Sequence, residues 1–78
     1  MQNETKRASD DFISELENSL PKFFDRIAAA RSLGGIISAK TLAYSDAQGT
    51  GPKQTMKIGR KVFYERTSFL EWLRTKIR

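Results

Sequence analysis

Two nearby stretches of the chain carry side chains that could contact phosphates and base edges. The first begins with Ser38 and places Lys40 and Tyr44 one helical turn apart. The second supplies the densest group of cations in the sequence: Lys57, Arg60 and Lys61. Basic and hydroxyl groups bind phosphate oxygens, and lysine also bonds to guanine edges. These residue types therefore indicate contacts to duplex DNA rather than catalysis.

Catalytic and metal-binding chemistry is almost absent from the composition. The 78-residue chain contains no cysteine and no histidine, which excludes disulfides, thiol nucleophiles, imidazole catalysis and the usual zinc ligands. The four acidic residues at positions 10–17 have no metal partner or pocket, so we interpret them as solvated charges. Residues 49–51 lack the flanking strand and helix of a nucleotide-binding loop. We expect no enzymatic activity, cofactor, metal or small-molecule ligand.

The net charge of +5 is concentrated in the body of the chain. Residues 1–20 carry two basic and five acidic side chains, whereas residues 21–78 carry twelve basic and four acidic ones. A basic domain attracts polyanions, of which nucleic acid is the first expectation and an anionic membrane surface the second. No stretch has the ~20 apolar residues that cross a bilayer. The amino terminus also lacks the apolar run of a signal peptide. The sequence therefore predicts one small cytoplasmic domain without a membrane partner.

A first amphipathic helix is predicted between a polar tail and Pro21. Residues 1–9 are polar and are expected to be disordered. Ser9 or Asp10 is expected to cap the helix. The apolar side chains on one helical face are Phe12, Ile13, Leu16 and Leu20. A short helix needs such a face to pack on another surface. It either packs on the body of the protein, remains a frayed arm, or contacts a second copy.

A second helix is predicted from Asp25, its N-cap, to about Leu33. Phe23 or Phe24 is expected to pack back onto its first turn. A pair of glycines that begins at Gly34 ends the helix and supplies a tight turn. One face of this helix holds Ile27, Ala30 and Leu33.

Ser38 is the predicted N-cap of a third, short helix that runs from Ala39 to about Gln48. Leu42 is its clearest core residue, supported by Ile37 just before the cap. Ser38 could also offer its hydroxyl or the helix N-terminus to a phosphate. The polar side of this helix supplies the candidate DNA contacts Ser38, Lys40, Thr41, Tyr44 and Gln48, of which Thr41 fits helix packing equally well.

A β-hairpin of residues 55–58 and 62–64 is predicted after a glycine-rich loop. Gly59 at the first loop position favours a two-residue type II′ turn. That turn puts Met56, Ile58 and Phe63 on one face. A three-residue loop would instead align Met56, Ile58, Val62 and Tyr64. The candidate DNA contacts of this region are Lys53, Lys57, Arg60 and Lys61, with Arg60 best placed for the minor groove.

A last helix is predicted to begin near Thr67 or Ser68. Ser68 and Glu71 have the spacing of a capping box. Trp72 is expected in the core and not as a platform for base stacking. The apolar stripe of this helix consists of Phe69, Leu70, Trp72, Leu73 and Ile77.

The order of these elements carries a family resemblance. The residues concerned are 29–34, 37–38, 41–42, 49–52, 57–64, 69 and 72–73. This set resembles the MerR-like winged-helix superfamily, and more narrowly the small excisionase-like and AlpA-like proteins of phages and mobile elements. The resemblance implies an α+β winged helix-turn-helix with about four helices and one β-hairpin wing. It also implies that residues 38–48 form the recognition helix and residues 56–64 the wing.

Two departures limit what the resemblance implies. Ala43 stands where MerR-like regulators often carry an arginine that reaches DNA. The long coiled coil and effector domain of full MerR-type regulators are also missing, so ligand sensing is not implied.

We therefore expect a tail and acidic helix in residues 1–20, and a winged-helix domain in residues 21–78 that binds double-stranded DNA sequence-specifically. The resemblance implies an excisionase-like recombination directionality factor or a small transcriptional regulator of a phage or mobile element. A small domain makes few base contacts, so an integrase or further copies on adjacent sites are expected partners. The alternative is a protein–protein adapter that engages an integrase or repressor through the N-terminal helix. RNA or single-strand binding is weaker, because the aromatics form no stacking series.

Overall fold

The computed structural model describes residues 8–77, so the tail predicted at residues 1–7 lies outside the described residues, as does Arg78. Within this range the elements follow the order α1 (Ala8–Ser19), β1 (Phe23–Asp25), α2 (Arg26–Ser32), α3 (Ala39–Ala47), β2 (Thr55–Ile58), β3 (Lys61–Glu65) and α4 (Arg66–Arg74). The α+β class is confirmed, and the arrangement is compatible with a small winged-helix fold. None of these described helices is long and apolar enough to cross a bilayer.

The sheet contains one strand more than the predicted hairpin. Its strand order is β1-β3-β2, and both pairings are antiparallel. In β1, Phe23 pairs with Glu65 and Phe24 pairs with Tyr64. These phenylalanines therefore lie in a strand, which was not predicted. Phe24 is buried between the sheet and the helices, whereas Phe23 is exposed on the outer side.

A two-residue turn that begins at Gly59 joins β2 and β3. Gly59 has a φ of 61°, a left-handed conformation that side chains disfavour. The prediction of a two-residue loop is therefore confirmed. The three-residue loop, which would have placed four apolar residues on one face, is wrong, because Ile58 pairs with Lys61 and only two residues remain in the turn. Instead Val62 and Tyr64 face the helices, while Met56 and Ile58 are exposed on the outer side of the sheet.

The apolar face of α1 is buried against α4. Ile13, Leu16 and Leu20 are almost fully buried and belong to the same hydrophobic cluster as the sheet and α4. The guanidinium of Arg66 also donates to the carbonyl of Leu20 at 2.9 Å. This face is thus covered within one chain and is not left open for a second copy.

The start of α1 differs from the prediction. Residues 8 and 9 are helical, so the expected disorder is wrong for these two positions. Ser9 and Asp10 consequently lie inside the helix rather than at its N-cap. The acidic side chain of Asp10 stays exposed and lies 3.9 Å from the guanidinium of Arg74, which is also exposed.

The cap and end of α2 follow the sequence prediction, but its buried face does not. The carboxylate of Asp25 accepts a hydrogen bond from the N–H of Ala28 at 2.9 Å, which confirms the N-cap. Gly34 has a left-handed φ of 66° just beyond the helix. Ile27, which was expected on the apolar face, is 57% exposed, whereas Ala29 is fully buried. Leu33, the C-cap, is buried as expected, so the predicted face is wrong at Ile27 but confirmed at its other end.

The N-cap of α4 is Glu65 and not a residue near Ser68. The Glu65 carboxylate accepts hydrogen bonds from the N–H groups of Thr67 and Ser68 at 3.0 and 2.9 Å. The Ser68 hydroxyl is buried and accepts a bond from the N–H of Gln54 at 2.9 Å. The predicted capping box is wrong because β3 continues directly into the helix, which therefore starts at Arg66.

The apolar stripe of α4 is confirmed. Phe69 is fully buried, and Leu70, Trp72 and Leu73 are nearly so. The indole N–H of Trp72 donates to the carbonyl of Thr50 at 2.7 Å. Trp72 therefore fixes the loop that connects α3 to the hairpin, and it is a core residue as predicted.

Candidate nucleic-acid interface

The third helix presents its predicted polar side to solvent. The Ser38 hydroxyl accepts a hydrogen bond from the N–H of Thr41 at 3.1 Å, which confirms its role as the N-cap of α3. The Thr41 hydroxyl lies 3.0 Å from the Ser38 hydroxyl, so the side chain of Thr41 is turned toward the cap. Leu42 and Ser45 face the core. On the opposite side, Lys40 and Gln48 are exposed, and Tyr44 is 66% exposed.

An open furrow separates α3 from the tip of the hairpin. The furrow has a volume of about 320 Å³ and is closed on a third side by the start of α2. The residues that α3 and the hairpin contribute to its walls are Ala39, Lys40, Ala43, Arg60, Lys61 and Val62. Of the candidate contacts, Lys40 of the helix and Arg60 and Lys61 of the hairpin tip therefore line one cavity, whereas Ser38, Thr41, Tyr44 and Gln48 do not.

The cations of the furrow differ in their partners. In the described part of the chain, no ion pair engages Lys40 or Arg60. The ammonium of Lys61 lies 3.4 Å from a carboxylate oxygen of Asp25. The N–H of Ala28 and, to a smaller degree, this ammonium hold the pKa of Asp25 below its ordinary value. Lys61 is thus partly neutralised by Asp25, the N-cap of α2. Lys40 and Arg60 are therefore the furrow cations best able to bind a phosphate.

The remaining candidate cations, Lys57 and Lys53, do not line the furrow itself. Lys57 pairs with Val62 across the hairpin, whereas Lys61 pairs with Ile58, and directly paired residues share a face of the sheet. Lys57 therefore lies on the same sheet face as Val62, and the backbone position of Lys61 belongs to the outer face. Lys53 lines a second cavity, between the end of α3 and the base of the hairpin. Arg26 and Val62 line both cavities, so the two are adjacent.

A polar cluster joins the three elements beneath the furrow. The Arg26 guanidinium lies 2.6 Å from the carboxylate of Asp46 and donates its Nε–H to the hydroxyl of Tyr64 at 3.0 Å. The Tyr64 hydroxyl in turn donates to the same oxygen of Asp46 at 2.7 Å. We call Arg26, Asp46 and Tyr64 the anchor cluster. It links α2, α3 and β3, and so holds α3 and the hairpin at a fixed distance.

The anchor cluster was missed by reasoning from the sequence. Each of its residues is unremarkable alone, and the three lie far apart along the chain. One clue was available: Asp46 lies close to the Leu42 side of α3, where a carboxylate needs a partner. Its partner could not be named without knowing how α2 and the sheet approach the helix.

The anchor cluster predicts an alkaline loss of stability. Burial, followed by the hydrogen bond to Asp46, raises the pKa of Tyr64 from 10.0 to about 12. Between these pH values the unfolded chain loses the phenolic proton while the folded protein keeps it. The free energy of unfolding should therefore fall as pH rises from about 10 to about 12, and this contribution should be constant below 10.

Urea unfolding of the wild type and of Tyr64→Phe between pH 9 and 12 measures this effect, since lysine titration is common to both proteins. The wild type should lose stability more steeply than the variant. Parallel profiles for the two proteins would show that Tyr64 ionises alike in the folded and unfolded states.

The described residues group no metal ligands, and the chain matches no family model. Among residues 8–77, no three or more acidic side chains are grouped in a way that could hold a metal ion. Comparison of the chain with protein-family models, curated proteins and solved structures finds no match.

Proposed function

We propose that this protein binds double-stranded DNA sequence-specifically, with α3 in the major groove and the hairpin tip on the adjacent backbone and minor groove. The observation that carries the proposal is the furrow, which Lys40 of the helix and Arg60 of the hairpin both line. A separate cationic helix and a separate cationic loop would support only general attraction to a polyanion. Their convergence supports a docked geometry.

The furrow suits the passage of one DNA strand. In B-DNA a single sugar–phosphate strand separates the major groove from the neighbouring minor groove. With α3 in the first groove and Arg60 at the second, that strand passes between them, through the furrow. Lys40 then meets a phosphate or a guanine edge, while Lys57 and Arg60 meet phosphates from the other side. Tyr44 and Gln48, further along the exposed face of α3, extend into the major groove.

The biological role that we propose is that of an excisionase-like recombination directionality factor or a small transcriptional regulator of a phage or mobile element. The support is the resemblance of residues 22–75 to small excisionase-like and AlpA-like proteins. One short recognition helix reads few base pairs. Further copies on adjacent sites, or an integrase bound beside the protein, would supply the remaining specificity.

The adapter hypothesis has less support than DNA binding. It uses α1 to engage a protein partner, and the apolar face of α1 is already buried on α4. What α1 leaves to solvent is mainly acidic, with Asp10, Glu15 and Glu17 exposed. The two hypotheses separate cleanly, because an adapter would bind a protein partner and shift no duplex even at low salt.

The test is the binding of the full chain to a pool of random duplexes at low salt, followed by selection of the preferred site. We expect a selected sequence, and we expect Lys40→Gln to change the ranking of single-base variants of that site. The matched control is Lys76→Gln, which removes the same charge from the far end of α4 and should leave the ranking unchanged. Failure to shift any duplex would reject the proposal, and an unchanged ranking with Lys40→Gln would reject a base contact by Lys40.

A further inference from the structure

The furrow is lined by the apolar side chains Ile27, Ala39, Ala43 and Val62, which we call its floor, and by the cations Lys40, Arg60 and Lys61, which we call its rims. Ile27 at the start of α2 is 57% exposed and lies outside the hydrophobic core. Ala39 and Ala43 of α3, both half-buried, line the same furrow, and so does the half-buried Val62. An isoleucine exposed on a DNA-facing surface needs an explanation, because a long polar side chain there would add contacts to phosphate.

The polar groups in the walls are already engaged. One carboxylate oxygen of Asp25 accepts from Ala28, and the other lies near the ammonium of Lys61. The guanidinium of Arg26 is held by the other two residues of the anchor cluster. A group that enters the furrow therefore contacts apolar side chains at the floor and cations at the rims. The polar groups of Asp25 and Arg26 already have hydrogen-bond partners within the protein.

The occupant that fits this pattern follows from the proposed function, on which this inference rests. A strand that runs between α3 and the hairpin puts its phosphates against the cationic rims and its sugar ring against the floor. The ring of deoxyribose is apolar at C2′, whereas ribose carries there a hydroxyl that is both donor and acceptor. A hydroxyl pressed onto carbon loses its water without gaining a partner, which is unfavourable.

We propose that the furrow formed by Ile27, Ala39, Ala43 and Val62 is a deoxyribose-binding site that selects DNA over RNA by excluding the 2′-hydroxyl. The selection acts at the one or two nucleotides whose sugars lie on this floor. It is independent of the base sequence, which is read by the exposed face of α3.

The experiment is a scan of the selected duplex with single ribonucleotides. One or two adjacent positions should bind roughly tenfold more weakly when the deoxyribose is replaced by ribose, as expected for a hydroxyl left without a partner. A 2′-fluoro nucleotide at the same position controls for sugar pucker, because it favours the ribose-like pucker but lacks the hydroxyl. Its affinity should stay near that of the deoxynucleotide.

A pair of serine substitutions on α3 tests the floor directly. Ala43→Ser places a hydroxyl in the furrow that can bond to the 2′-hydroxyl, so the penalty for ribose should shrink to roughly two- or threefold. Ala47→Ser, one turn further on, exposed and outside the furrow lining, should leave the penalty unchanged.

Three outcomes would overturn the inference. Ribose could be tolerated at every position, the 2′-fluoro nucleotide could bind as weakly as ribose, or the two serine variants could behave alike. Each leaves DNA binding itself intact. If no duplex is bound at low salt, the proposed function fails and the inference fails with it.

Discussion

Removal of the Asp46 carboxylate should weaken both the fold and DNA binding. In Asp46→Ala, the guanidinium of Arg26 and the hydroxyl of Tyr64 lose their shared acceptor. The side chains of Arg26 and Asp46 are 25% and 18% exposed. Water therefore cannot fully replace the hydrogen bonds that Arg26 and Tyr64 lose when the carboxylate is removed. We expect a loss of about 2–3 kcal/mol in the free energy of unfolding. Urea unfolding followed by the fluorescence of Trp72, the single tryptophan, measures it.

The effect of Asp46→Ala on DNA affinity separates positioning from charge. The substitution removes a negative charge, which alone would raise affinity for a polyanion. If the anchor cluster sets the width of the furrow, affinity should instead fall. Glu71→Ala is the matched control, since it removes an exposed carboxylate on α4 and should raise affinity slightly. A gain in affinity with Asp46→Ala would contradict the positioning role.

Two further variants resolve the anchor cluster. Tyr64→Phe removes the hydroxyl but leaves the ion pair of Arg26 with Asp46, so it should cost about 1 kcal/mol, less than Asp46→Ala.

A Cβ at Gly51 would collide with the carboxylate of Asp46, so Gly51→Ala should displace that side chain. Its cost in stability should be smaller in the Asp46→Ala background than in the wild type. Additive costs would show that Gly51 acts elsewhere.

Neutralising the hairpin tip should weaken binding to every duplex alike. Each phosphate contact contributes about 0.9 to the slope of log affinity against log salt. The double variant Arg60→Gln/Lys61→Gln should therefore lower the magnitude of the slope by at most about 1.8. The ratio of wild-type to variant affinity should then be up to roughly 60-fold larger at 0.1 M salt than at 1 M salt. Fluorescence anisotropy across a salt series measures both quantities.

The two single variants should be unequal. Lys61 is paired with Asp25 whereas Arg60 has no ion-pair partner among the described residues, so Arg60→Gln should account for most of the loss. Lys22→Gln/Lys76→Gln removes the same charge from positions beside Phe23 and over Trp72, and should change the slope little. Equal slopes for the two double variants would mean that only net charge matters.

The features that sequence predicted correctly are local ones. The caps at Asp25 and Ser38 and the two-residue turn at Gly59 each depend on a few neighbouring residues, whose chemistry is visible in the sequence. Lys40 and Arg60 could be named as candidates for the same reason. That they share a furrow with each other required the three-dimensional structure.

The features that sequence missed depend on contacts between distant segments. The strand β1 exists because Phe24 pairs with Tyr64, far along the chain, and three residues are too few for a strand pattern to emerge. Glu65 caps α4 because the sheet runs directly into the helix. The exposure of Ile27 follows from how α2 docks, which helical periodicity alone does not determine.

In the proposed complex, α3 and the hairpin tip bind one duplex together through the furrow. An NMR titration of the ¹⁵N-labelled full chain with the selected duplex tests this joint binding. We expect the amides of residues 38–48 and 57–62 to shift together, at one stoichiometry, while those of α1 stay in place. Shifts confined to α1 or to the outer face of the sheet around Phe23 and Met56, with α3 unperturbed, would contradict it.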